Sequence, residues 1–407
     1  MDRLRYEQEI RWLYQAALLL FLITIALGMA RGLGLIDFAD RNQFLTHLHS
    51  GVIGWITLGM VATVLWVYGG TTPRSSNERY VTWTALVLVV SVPIYIVAWW
   101  TGSLPFRAIA GAFVLLGILL FAVWLARAAA RIGYANLTTP RLGAVVGFLT
   151  LVVGSTLGVA LQIQFASAAT FLPEGTVGAH AETQITGYLV LLAMSIAYWR
   201  LHGDDRTARG TWMVWLFFIG AVFVAVALLA NVLPLTILYV PLDITAFVLL
   251  LTLTWRRVLS PGWSTAGSAR HYAIAIPFAL VYLVIFIYLI VGFAVLKIWP
   301  TFADVPPNLI PATEHPLFVG MVTNILFGLL YDLDVDRRRW PWADEVLFWG
   351  MNIAVAAFLV AILANAQDAF KFITPVLGLS LAVGIVTHSL RLWTAQATPP
   401  SMAPTGP

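Results

Sequence analysis

"THLHSGVIGWITLGMVATVLWV", residues 46–67, sets two histidines, His47 and His49, at the mouth of an apolar run long enough to cross a bilayer. Similar runs recur along all 407 residues. The chain is 60% hydrophobic and 10% charged, with a mean hydropathy of +0.87, far too little charge to cover the surface of a soluble domain. The runs do not alternate polar with apolar residues, which excludes a barrel. The composition therefore predicts an all-α integral membrane protein.

Twelve spans are expected, at 11–32, 45–67, 80–100, 107–127, 142–163, 180–200, 211–231, 234–255, 272–297, 315–333, 345–365 and 371–393. They form a single transmembrane domain over 1–394, followed by a disordered cytoplasmic tail, 395–407. The first span lacks a small-residue cleavage site and reads as a retained helix. All but five of the 23 basic residues fall on the side that holds both termini. The five are Arg31, Arg41, Arg107, Lys297 and Lys371. Positive charge stays inside, so both termini are expected in the cytoplasm and the protein in the cell (inner) membrane. Topology accounts for the net charge of +4, and no nucleic-acid partner is needed. The chain has no cysteine, which excludes iron–sulfur clusters, covalent haem attachment and thiolate copper.

Three helix openings align without a gap: "HLHSGVIGW" from 47, "HAETQITGY" from 180 and "TEHPLFVGM" from 313. His49, Glu182 and His315 share one column, and Gly54, Gly187 and Gly320 share another, each 133 residues apart. Four spans fit in each period. The expectation is three parallel four-helix repeats (about 1–134, 135–268 and 269–394) in a pseudo-threefold arrangement. Spans 2, 6 and 10 then bring His47, His49, His180, Glu182, Glu314 and His315 to one depth near the outer face. Ionisable groups at such depth usually face a bundle interior or cavity.

This architecture resembles the catalytic subunit of the haem–copper oxidase superfamily, which includes cbb-type oxidases and nitric-oxide reductases. The likeness spans the chain as architecture, but its specific motifs occupy three short segments. "HLHSGVIGW" is also similar to the His-x-His helix openings of NnrS-type membrane proteins, associated with haem, copper and the response to nitric oxide. The resemblance implies a low-spin haem held by one histidine of helix 2 and one of helix 10, positions occupied by His49 and His315. "HAE", His180 to Glu182, is similar to the motif that gives the oxidases a copper ligand and a proton-gating glutamate. The departures are large. Thr313 replaces the high-spin haem ligand, and span 7 lacks the two adjacent histidines that bind copper. A conventional oxygen-reducing centre cannot be assembled from these positions.

The reading that follows is a haem-binding membrane protein for electron transfer or for handling nitric oxide or another small diatomic. It carries one non-covalent haem b with His49 and His315 axial. Residues i and i+2 of a helix point roughly 200° apart, so His47 and His49 cannot face one haem together. Its column favours His49, with His47 as the alternative ligand. A second metal, copper or iron, would draw on His49, His315, His180 and Glu182. Besides the lipid bilayer, an outer-face electron donor or partner subunit is expected. Two alternatives stay open. One is a true oxidase or nitric-oxide reductase, an oxidoreductase with non-standard ligands. The other is a proton-coupled transporter or channel working through Glu182 and Asp243.

Asp243 is expected near the middle of span 8, as a proton relay or as a brace for backbone freed by Pro241. Asn324 and Asn352 are expected to bridge helices. His202, His271 and His388 are expected to be solvated or snorkelling. So is the turn that runs from Asp332 to Arg339.

Overall fold

The computed structural model describes residues 4–69, 78–265, 267–299, 304–333 and 339–397. Among them there is no strand, and the long helices follow one another in chain order. They are α1 (Glu7–Gly32), α2 (Arg41–Gly69), α3 (Arg79–Thr101), α4 (Leu104–Ile132), α5 (Thr139–Ser167), α6 (176–201), α7 (Ala208–Leu229), α8 (Tyr239–Leu259), α9 (Ser268–Val295), α10 (Leu309–Leu333), α11 (Pro341–Leu363) and α12 (Gln367–Thr394). Among the described residues, eleven of these are long and apolar enough to cross a membrane. The chain is a multi-pass helical membrane protein.

The exception is α6. It is helical throughout, but His180, Glu182, Gln184 and Arg200 keep it below the hydropathy of a lipid-facing span, against the expectation of twelve apolar spans. Its position gives the reason. Residues 186–198 are buried without a break, so this helix meets protein rather than lipid and need not be apolar all round. α2 and α10 are similarly enclosed, burying 78% of their most apolar stretch, whereas the other nine apolar helices among the described residues bury half or less of theirs. Three inner helices are thus wrapped by the rest.

The inner helices also share a backbone irregularity. π-helical geometry runs over Ser50–Thr57 in α2, Thr183–Val190 in α6 and Pro316–Thr323 in α10, each starting 133 residues after the last. Such turns are rare, and frequent at functional sites. Two shorter ones lie at Val291–Val295 and Val346–Gly350. In α2 and α10 a hydroxyl reinforces the wide turn five residues back: Thr57 donates to the Val52 carbonyl (2.9 Å) and Thr323 to that of Phe318 (2.8 Å). The aligned glycines let an outer helix approach. A methyl on Gly54 would sit 2.8 Å from Leu20 Cβ of α1, and one on Gly320 2.4 Å from the Phe278 ring of α9. Across the centre, Trp55 Nε1 of α2 donates to Thr323 Oγ1 of α10 at 2.9 Å. The Tyr188 hydroxyl of α6 lies beside Thr57 of α2 without closing a hydrogen bond.

Several polar residues expected at the surface are interior. His271, 1% exposed, points Nδ1 at Asn324 Oδ1 (3.0 Å), and Asn324 Nδ2 donates to Asn352 Oδ1 (2.7 Å). His388 is also 1% exposed and packs on Phe327. The causes differ: α9 begins at Ser268, so His271 lies inside a helix rather than in a loop, whereas His388 lies within α12 as expected but on its buried face. His202 stays half-exposed beside Asp205. Asp332 is part-buried, paired with Arg200 of α6 and accepting from the Tyr272 hydroxyl (2.7 Å). The following residues 334–338, with Asp334, Asp336, Arg337 and Arg338, lie outside the described residues, as does the tail beyond Ala397. Before that point α12 is still helical through 395–397, where the tail was expected to begin.

Candidate cofactor site

Each inner helix starts before its expected boundary, so the cluster residues lie inside helices. α2 opens at Arg41, with the Asp40 carboxylate capping Asn42 N (2.9 Å), and α10 opens at Leu309. In all four cluster histidines Nδ1 meets a backbone carbonyl. His47 meets Thr24 of α1 (2.9 Å), and His180 meets Gly154 of α5 (2.7 Å). His49 and His315 each turn to the carbonyl four residues back, Leu45 (2.7 Å) and Pro311 (2.9 Å). A carbonyl can only accept, so in every case the proton belongs on Nδ1 and the lone pair is left on Nε2. Among the described residues no Nε2 of the four has a hydrogen-bond partner. This is how a histidine is held when its far nitrogen binds a metal.

The alignment reappears in the side chains. His47 and His180, in the first column, each lie against a glycine four residues after the accepting carbonyl. A methyl on Gly28 would come 3.1 Å from His47 Cε1, and one on Gly158 2.7 Å from His180 Cε1. His49 and His315, in the third column, turn elsewhere. His49 stacks on Trp99 of α3 (4.1 Å, 20°), and His315 packs on Phe358 of α11 (4.5 Å). The imidazoles that lie close enough to feel one another's charge are His47 with His315, and His49 with His180. Each of these associations links a first-column residue of one helix to a third-column residue of another. This pairing differs from the column rule that favoured His49 as the partner of His315.

Among the described residues no group of three or more histidine, aspartate or glutamate side chains is gathered to hold a metal ion. The set His49, His315, His180 and Glu182 does not converge, because its members turn to different flanks of the inner helices. The donors present do not fit the second metal.

The acidic residues form a separate patch. Glu182 lies within electrostatic range of Glu314, of Asp243 and of the Tyr239 and Tyr282 hydroxyls. Asp243 is 1% exposed and lies within the apolar stretch Leu233–Leu259, against Gly220 in the middle of α7, near mid-span as expected. Residues 233–238 form a 3₁₀ turn that runs directly into α8. Asp243 makes no bond to the backbone near Pro241; Thr245 takes that carbonyl (2.7 Å). Glu182 Oε2, Asp243 Oδ1 and the hydroxyls of Tyr188, Tyr239 and Tyr282 are all buried without hydrogen-bond partners. Such a concentration of orphaned oxygens calls for water, a proton or a ligand.

Sequence reasoning missed the tyrosines, Trp99 and Arg107. Tyr188 alone carried a signal, as the bulky residue following an aligned glycine. No protein-family model and no curated protein matches this chain.

Proposed function

We propose that the protein is a haem-binding membrane protein for electron transfer or small-diatomic handling, with twelve transmembrane helices in three pseudo-threefold repeats. One non-covalent haem b is held between α2 and α10 by His47 and His315. The observation that carries this reading is the pair itself. His47 and His315 stand on neighbouring inner helices, each with Nδ1 spent on a carbonyl and Nε2 free to ligate. The π-turns in register across α2, α6 and α10 support the repeat. When bound, the haem supplies a one-electron couple, and two histidine ligands leave the iron no open position, which suits electron transfer. The chain's own part is to orient both imidazoles by their carbonyl bonds and to enclose them with Phe38 and Phe358. The purified protein, supplemented with haem, should show a low-spin Soret and α-band spectrum and release haem b on acid–acetone extraction. A folded protein that takes up no added haem would sink the reading.

A transporter is the second reading, favoured by the orphaned oxygens around Glu182 and Asp243. Asp243→Asn separates the two. If Asp243 passes protons, the variant should keep its fold and haem while a pH-dependent step, redox or transport, falls at least about tenfold. If the pH profile is unchanged, Asp243 leaves the site.

The proposed orientation puts the histidine-bearing end outside and both termini in the cytoplasm. Glu174 and Ser260 are exposed at opposite ends of the bundle. In this cysteine-free chain, Glu174→Cys should react with an impermeant maleimide from outside intact cells, and Ser260→Cys only after lysis. The reverse pattern would invert the topology. Gly175 cannot serve for such labelling, because a Cβ there would lie 1.9 Å from the Leu228 carbonyl oxygen.

A further inference from the structure

A cleft of about 510 Å³ opens at the histidine-bearing end of the bundle, between the starts of α2 and α4 and the end of α5. That volume is in the range of small-molecule sites, about 300–1,000 Å³. Its walls include Trp99 and Phe165, and its polar lining includes Arg41, Arg107, Gln162 and Gln164. Basic residues are scarce at this end. Of the five assigned there, Arg31 and Lys371 have carboxylate partners in Asp37 (3.7 Å) and Asp368 (2.9 Å). Arg41 and Arg107 have none among the described residues, and both line this cleft.

Arg107 is the more unusual of the two. It is 5% exposed, a position where a guanidinium is normally paired with an acid. Its Nη2 donates to Asn42 Oδ1 (2.5 Å) and to the Trp99 carbonyl (3.4 Å), and its Nε to the Ala98 carbonyl (3.4 Å). These bonds hold the group in place without neutralising it, and Nη1 has no partner among the described residues. The guanidinium also lies over the Trp99 ring at 4.3 Å, which fixes its plane. The one acidic residue beside Arg41 is Asp40, whose carboxylate is engaged at the start of α2. Gln162 is 7% exposed with its Oε1 buried and unpartnered, and Gln164 spends its Oε1 on the amides of Phe171 and Leu172. The side-chain amide of Gln164 therefore has its NH₂ free to donate.

We infer that this cleft is a carboxylate-binding site for an organic anion with a flat apolar body. Arg107 and Arg41 bind the carboxylate, Gln164 adds a donor, and Trp99 with Phe165 covers the apolar part. Two sources share that chemistry: a free aromatic carboxylate, or the propionate edge of a haem bound at the histidine-bearing end of the bundle. The inference does not depend on the haem reading, since its first arm contains no haem.

The test uses the full chain in detergent micelles. In the first arm, benzoate is titrated and thermal unfolding is followed. In the second, uptake of haem is compared with uptake of its dimethyl ester, which has the same ring and no charge. A free-anion site predicts saturable stabilisation by benzoate but not by benzamide, weakened roughly tenfold or more in Arg107→Gln. A propionate site predicts tighter binding of haem than of its ester, a preference lost in the same variant. Should Arg107→Gln fail to fold, Arg41→Gln, an exposed position, carries the same expectation with a smaller loss. If neither benzoate nor the haem–ester difference responds to either arginine, the inference is overturned.

Discussion

Replacing His47 or His315 with alanine should abolish the low-spin spectrum of the haem-loaded protein, either by releasing the haem or by leaving it five-coordinate and high-spin. Each imidazole has its Nδ1 fixed on a backbone carbonyl, so no neighbouring histidine can swing in as a substitute without breaking such a bond. His49→Ala should retain the spectrum. Its ring is stacked flat on Trp99 and edge-on to Tyr95 (5.9 Å), and its charge neighbour is His180, not His315. His388→Ala lies at the other end of the inner helices and should also leave the bands in place. The comparison of His47 with His49 decides between two geometric rules. Loss of haem in His49→Ala with retention in His47→Ala would mean that equivalent positions of two repeats face each other, and the pairing across columns would be wrong. The measurement is a reduced-minus-oxidised spectrum normalised to protein, and each axial loss should remove most of the six-coordinate signal.

The sequence carried the helices, the membrane and the column of glycines, because each rests on local composition or on spacing along the chain. Apolar runs report bilayer thickness directly, and eleven of the expected spans stand as apolar helices of that length. α6 shows the limit of that signal. Hydropathy measures contact with lipid, and an inner helix sheltered by others is free to carry His180, Glu182 and Gln184. Which histidine faces which was not legible. A shared column says that two residues are equivalent, whereas facing depends on how neighbouring helices are rotated, and the π-turns just after His49, Glu182 and His315 change that rotation. The Glu182–Asp243 patch was half visible. Both carboxylates stood out as charges in apolar helices, but Tyr239 and Tyr282 looked like ordinary aromatic membrane residues until packing set their hydroxyls beside them. Arg107 was read as a topological marker, and only the cleft shows that it has no acidic partner.

Asp344→Ala should be among the most destabilising single changes in the protein. Asp344 opens α11 and Arg391 closes on it from α12, in a two-pronged pair: Nη1 to Oδ1 at 2.8 Å and Nη2 to Oδ2 at 3.0 Å. Both partners are almost sealed, 2% and 1% exposed. The remaining capacity of Arg391 goes to the Arg339 carbonyl, so the guanidinium is tied to the chain just before α11 as well. Removing the acid leaves a buried positive charge with backbone oxygens alone, a loss of about 3–5 kcal/mol where such pairs have been broken from one side. The next residue supplies the control. Glu345 pairs with Arg270 at 2.8–2.9 Å in the same two-pronged manner, but the carboxylate is 42% exposed. Water can replace it in part, so Glu345→Ala should cost less. The double variant Asp344→Ala/Arg391→Leu discriminates between charge and packing. If the penalty comes from the stranded guanidinium, removing it restores much of the stability lost in Asp344→Ala. Unfolding by increasing SDS in mixed micelles gives the comparison. A double variant weaker than Asp344→Ala alone would show instead that Arg391 holds α12 against the Arg339 carbonyl independently of its acid.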